Sequence, residues 1–243
     1  MKLIIVRHAD PDYAIDSLTP AGRKEAEALK ERFQKIDAEA YYVSPLGRAR
    51  DTARKALEGK GIEPEVKEWL REFNCPVKKP RLSYLDEDKC VWDWLPADWT
   101  ARPAFYDRDR WMFEPELQAA GVAEAHRAVI EGFDELLKEH GYERDGMNYR
   151  AVSPSHKTVV LFCHFGLECV LLAHLMNISP MILWHSTCSA PSGVTVVNTE
   201  EREKGIAAWR MSEFGDISHL YVKGLEPSFH ARFCECFTDE AIH

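Results

Sequence analysis

An arginine and a histidine, Arg7 and His8, close the apolar run Leu3-Ile4-Ile5-Val6 near the start of the chain. Such a run reads as a buried strand, parallel and covered on both faces. Ligands of open α/β sheets sit at the carboxyl ends of these strands. A fixed guanidinium beside an imidazole at that edge suits chemistry on an anion. The arrangement recurs twice. Ser44-Pro45-Leu46-Gly47-Arg48 follows the short run Tyr41-Tyr42-Val43, and Cys163-His164-Phe165-Gly166 follows Thr158-Val159-Val160-Leu161-Phe162. Three strands thus each lead into a strand-to-helix turn with a basic residue.

The elements that must hold these residues follow from periodicity and punctuation. Thr19-Pro20 reads as an N-cap with proline at the first helical position, and Ala26, Leu29, Phe33 and Ile36 share one stripe behind it. Arg48 to Glu58 reads as a helix stopped by Gly59 and Gly61. Helices are also expected over Val122 to His140 and Leu167 to Met176, and strands over Gly193 to Asn198 and Gly205 to Met211. Alternating strands and helices predict a three-layer α/β/α domain, residues 1–243 as one unit, with a mainly parallel sheet. Residues 73–116 break that rhythm with Trp92, Trp94, Trp99 and Trp111 and several prolines. A connection this long usually has a functional reason. It reads either as a cap-like insertion that shapes a pocket or as a surface loop whose tryptophans form a local core. Its cations and their neighbours, Arg71, Lys78, Lys79, Arg81, Arg102, Arg108 and Arg110, either meet the rest of an anionic substrate or are solvated.

Composition narrows the class. The 243 residues carry a formal net charge of -9, which argues against a nucleic-acid footprint and makes any anion site a local basic pocket. No stretch approaches the roughly 20 apolar residues that span a bilayer. The chain opens directly on a strand with no leader-like segment, so a cytoplasmic protein is expected. Seven cysteines, an odd number, read as free thiols. Neither His185-x-x-Cys188 nor Cys234-x-Cys236 has a second half at zinc spacing, so no metal and no cofactor are expected. The oligomeric state is open.

Four segments in order resemble the histidine phosphatase superfamily, the phosphoglycerate mutase-like group. They are Arg7-His8-Ala9, with alanine where the family has glycine; Leu18 to Ala26; Ser44 to Ala53; and Cys163-His164-Phe165-Gly166. The resemblance implies a phosphoglycerate mutase-like fold and a variable insertion over the active site. It implies a nucleophile at His8, a second arginine at Arg48, a second histidine at His164 and a Leu-x-Glu acid at Glu72. Where many relatives carry Glu-Thr and a nearby Asn, this chain has Asp10-Pro11-Asp12-Tyr13, so Asp12 and Tyr13 stand as candidate substrate contacts.

The chemistry suits those residue types. A neutral imidazole attacks a dianionic phosphate ester without charge repulsion. A backbone carbonyl on its other ring nitrogen fixes the tautomer. Arg7 and Arg48 offer planar forks of donors to the non-bridging oxygens, and His164 beside a bound phosphate adds another. The amide of Phe165 or Gly166 at the following helix start adds a contact. The leaving alkoxide needs a proton, for which Glu72 and Glu68 compete, with Asp10 and Asp12 near the same lip. The expected activity is metal-independent hydrolysis of a small phosphorylated metabolite, a histidine acid phosphatase-type phosphomonoesterase. The alternatives are phosphoglycerate mutase-type transfer and a catalytically silent phosphate-binding module. Cysteine-nucleophile chemistry fails because Cys169, not arginine, stands six residues after Cys163.

Overall fold

A computed structural model describes residues 1–80 and 90–230. Strand β1 (Lys2–Arg7) is buried at five of its six positions. A small hairpin of β2 (Pro11–Asp12) and β3 (Ser17–Leu18) leads to helix α1 (Pro20–Phe33), where the Thr19 Oγ1 accepts from the Gly22 amide at 3.0 Å. Next come β4 (Ala40–Val43), α2 (Gly47–Ala56) and the short β5 (Glu65–Val66). Gly59 and Gly61, both with positive φ, follow α2 as the sequence predicts.

Short helices α3 (Pro96–Trp99) and α4 (Pro115–Ala119), with intervening 3₁₀ turns, precede the long α5 (Val122–Glu139). Prolines open both short helices, where a missing N–H costs nothing. A hairpin of β6 (Tyr142–Asp145) and β7 (Asn148–Ala151), which the pattern reading did not foresee, leads to β8 (Thr158–Cys163). Helix α6 (Phe165–Met176) buries ten of its twelve residues. The chain continues through α7 (Pro180–Ser186), β9 (Val194–Glu203), β10 (Ile206–Asp216) and α8 (Ser218–Tyr221).

The main sheet runs β5-β4-β8-β1-β9-β10-β7-β6. The first four strands are parallel, and the rest add on in antiparallel pairs. Following those pairings, every strand of this sheet except β9 and β7 points along β1. The central strands alternate between two cores. Leu3, Ile5, Val159 and Leu161 pack with α5 and α6, while Ile4, Val6, Val160 and Phe162 pack with Leu29 and Phe33 of α1 and Ala49 and Ala53 of α2. Each fully buried Leu, Ile, Val or Phe contributes roughly 1.5–3 kcal/mol, so both faces of β1 are clamped. Trp94, Trp99 and Trp111 belong to the same core as α5 and α6. Among the described residues no helix is long and apolar enough to cross a membrane.

Three histidines are built into this packing in neutral form. His126 meets Trp111 edge-on, His185 stacks on Trp99, and His219 lies against Ser192. Burial pushes each of them down to about 4. The unfolded chain therefore binds more protons than the native state below the ordinary histidine pKa of about 6.5. Stability is complete above that value and is lost as pH falls from about 6.5 towards 4. Thermal unfolding followed across that window is expected to show a falling midpoint; a flat profile would contradict the buried neutral state.

Candidate active site

The register of three parallel strands gathers the polar ends. Val6, Phe162 and Val43 are level across β1, β8 and β4. The next residues are Arg7, Cys163 and Ser44, and His8 and His164 follow beside them. The two imidazoles lie 5.1 Å apart between centroids, tilted by 59°. Both are buried, His8 at 2% and His164 at 0% exposure.

His8 Nδ1 lies 2.8 Å from the Ala9 carbonyl oxygen, which can only accept. The proton is therefore on Nδ1, and the Nε2 lone pair is free. Burial, then the Arg7 charge, hold His8 well below the ordinary histidine range. His164 is held low by burial and by His8. Its Nε2 is 2.7 Å from the Ser44 Oγ, which also accepts from the Leu46 amide at 3.2 Å. Either group can donate in that bond; with Ser44 as the donor the ring hydrogen sits on Nδ1, a buried atom with no partner among the described residues.

The arginines are anchored from outside the pocket. Arg7 donates from Nη1 to the Ser189 carbonyl and from Nη2 to the His230 carbonyl at 3.1 Å, and its Cζ lies 5.8 Å from the ring of buried Phe165. Arg48 donates to Asp16 Oδ1 at 2.7 Å and lies 5.3 Å from the exposed Tyr13 ring. Asp16 Oδ2 also accepts from the Gly47 amide at 2.7 Å. Burial raises the Asp16 carboxyl, but that amide and Arg48 outweigh it and hold it below the usual range. A Cβ on Gly47 would stand 2.0 Å from the Asp16 carbonyl oxygen, so only glycine lets α2 approach this loop. The buried Nε atoms of Arg7 and Arg48 have no partner among the described residues.

Glu72 sits over the start of α6. Its Oε1 accepts from the Leu167 and Phe73 amides, each at 2.9 Å, and the Gly166 amide approaches Oε2 at 3.4 Å. Burial raises its carboxyl, against the opposing pull of the Leu167 amide and Arg7. Glu68 is exposed and paired with Arg71 at 3.1 Å, which separates the two candidates in space. The Gly166 amide, expected at the phosphate, is directed to Glu72 instead. Asp12 accepts from the Ala14 amide at 3.1 Å and shapes a local turn. Asp10 receives the Thr19 hydroxyl and His230 Nδ1, a structural use of that carboxylate.

The half-buried Trp92 donates to the Phe73 carbonyl at 3.3 Å and lies beside Gly166. Other cations of the segment are held elsewhere: Arg102 by Glu116, Arg108 by Asp109 and Asn177, and Lys79 by the Trp92 and Asp93 carbonyls. Arg81 and Cys234-x-Cys236 lie outside the described residues.

Three participants escaped the pattern reading. Ser44 was visible as the first polar residue after β4. Asp16 gave only a weak signal, an acidic loop residue suited to its positive φ of 46°. Glu168 was the sole acid in the apolar run of α6. It is fully buried, takes the Thr195 hydroxyl, and burial pushes it up to about 7, against the pull of that hydroxyl and Arg7.

Comparison with known proteins bears on this constellation. A model of the histidine phosphatase superfamily (branch 1) matches residues 3–212. Phosphoserine phosphatase 1 of Hydrogenobacter thermophilus is 22% identical over 215 residues, covering 85% of this chain and 90% of that protein. A solved structure of phosphoserine phosphatase from Entamoeba histolytica in complex with 3-phosphoglyceric acid has a TM-score of 0.57 at 18% identity, covering 90% of this chain and 98% of that one. Native mycobacterial glucosyl-3-phosphoglycerate phosphatase has a TM-score of 0.59 at 22% identity, covering 88% and 98%. These structures share the fold. The match over most of its length establishes that this chain belongs to the histidine phosphatase superfamily, branch 1.

Proposed function

We propose that the protein is a metal-independent phosphomonoester hydrolase that works through a phosphohistidine on His8. One observation carries this reading: His8, with its Nε2 lone pair free, lies 5.1 Å from the His164 ring and within range of the Arg7 and Arg48 charges, and the buried Nε of each arginine has no partner among the described residues. Family membership and the phosphatase names of the relatives support it. Nε2 attacks phosphorus, the bond from phosphorus to the ester oxygen breaks, and Glu72 gives its proton to that oxygen. The arginine forks and His164 Nδ1 carry the charge of the non-bridging oxygens. Water then attacks the phosphohistidine, Glu72 takes back a proton, and inorganic phosphate leaves neutral His8. A carboxyl raised by burial suits both duties, and a bound dianion would raise it further.

The substrate is a small phosphorylated metabolite. The described part of residues 73–116 acts as a cap through Trp92, whose ring meets Phe165 edge-on and whose Nε1 borders, with the Glu72 carboxyl, the space beside Gly166, and Tyr13 lies over Arg48. Hydrolysis is favoured over mutase-type transfer because Arg102, Arg108 and Lys79 are engaged by other protein groups, leaving none of the three to hold the second phosphate of a bisphosphate.

His8→Ala is expected to abolish release of p-nitrophenol from p-nitrophenyl phosphate in excess EDTA while the fold persists. Turnover equal to wild type would sink the assignment. Glu72→Gln should slow alkyl phosphates far more than p-nitrophenyl phosphate, since only the poor leaving group needs the proton; equal slowing would point to another acid. A Cβ at residue 166 would stand 2.7 Å from Glu72 Oε1 and 2.6 Å from Trp92 Nε1. Gly166→Ala should therefore reproduce the leaving-group dependence of Glu72→Gln, and a wild-type profile would show that the acid need not sit there.

A further inference from the structure

Arg7 is a buried cation with an uncommon set of partners. Among the described residues no carboxylate pairs with it, and backbone carbonyls hold both arms of its fork, Ser189 on one and His230 on the other. Ser189 lies in the loop before β9. His230 lies well beyond the last strand, in a segment with no regular structure. Four linked contacts fix where the His230 carbonyl stands. His230 Nδ1 donates to Asp10 Oδ1 at 2.5 Å, and its ring meets the Tyr13 ring edge-on at 5.9 Å. Two residues earlier, the Ser228 amide and hydroxyl donate to Glu25 Oε1 at 3.2 and 2.5 Å. The other oxygen of Glu25 accepts from the Asp10 amide at 2.7 Å. The contacts close a ring through Asp10, Glu25, Ser228 and His230. Its fixed point is Asp10, against which α1 packs so closely that a Cβ on Gly22 would stand 2.2 Å from the Asp10 carbonyl oxygen.

We infer that residues 226–230 form a strap, fastened by His230 to Asp10 and by Ser228 to Glu25, that orients the Arg7 guanidinium for a phosphate group. This rests on the phosphomonoesterase reading, to which it adds His230 as a positioning residue. A guanidinium fork directs its remaining donors only as well as its plane is held. With Ser189 alone the plane can turn about that one contact; with the His230 carbonyl on the second arm it cannot. The strap therefore governs how tightly the pocket holds phosphate, in substrate and product alike.

The test measures p-nitrophenyl phosphate kinetics and, separately, binding of inorganic phosphate by calorimetry. Loss of one hydrogen bond to a charged group corresponds to about tenfold in affinity. His230→Ala is expected to raise KM and the phosphate Kd by about that factor, with kcat within about twofold, because binding is lost equally from ground and transition states. His230→Asn, whose side-chain amide can donate to Asp10 from the Nδ1 position, should restore both. A variant that merely loosened the fold would lower kcat at unchanged KM. Unchanged KM and Kd in His230→Ala would overturn the strap. Strap-dependent phosphate binding without hydrolysis by the wild type would uphold it and overturn the hydrolase reading alone, whereas no phosphate binding by the wild type would overturn both.

Discussion

The level pairing of Val6, Phe162 and Val43 across three parallel strands is the constraint on which the rest of the site hangs. Each strand is buried on both faces up to that level, so none can slide by one residue without exchanging its two cores. Because the register is fixed, the residues just past it have no freedom of height. Arg7 and His8, Ser44, and His164 emerge together from separate parts of the chain. Their precision comes from the apolar residues beneath them.

Such placement has an electrostatic cost. Arg7 and two histidines are taken out of water at one edge of the sheet. The histidines answer by staying neutral. Arg48 is compensated by Asp16 and Arg7 by carbonyl dipoles, with Glu72 and Glu168 within range of its charge. Burial raises both of these carboxyls above the usual carboxylate range. The pocket thus gathers two guanidiniums and two neutral imidazoles at one edge of an acidic protein.

Much of this was legible in the sequence because the relevant signals are local. The aliphatic run before Arg7 announces a doubly covered strand, and Thr19-Pro20 announces the start of α1. Arg48, His164 and Glu72 were located by motif and lie in one place. What escaped is of two kinds. The β6–β7 hairpin was missed although Asp145-Gly146 is a strong turn signal, because its flanking residues, Glu143, Arg144 and Arg150 among them, are too polar to read as strand. Ser44, Asp16, Glu168 and His230 matter through contacts between residues 27 to 223 positions apart, which no local pattern encodes. The tryptophans of the irregular segment divide in a way composition could not tell: Trp94, Trp99 and Trp111 build core, and Trp92 stands beside Gly166 at the acid's end of the site.

The central position of β1 has a consequence for how the molecule is made. Strand β1 is synthesised well before both of its neighbours, β8 on one side and β9 on the other, Lys2 meeting Thr158 and Asn198. At about 5–20 residues per second of translation, β1 waits roughly 8–30 seconds for β8 to appear. Throughout that interval Leu3-Ile4-Ile5-Val6 is an apolar segment with both edges unpaired, the kind of sequence that associates with its own copies. The strand that organises the finished molecule is therefore also the one most in need of protection on a nascent chain.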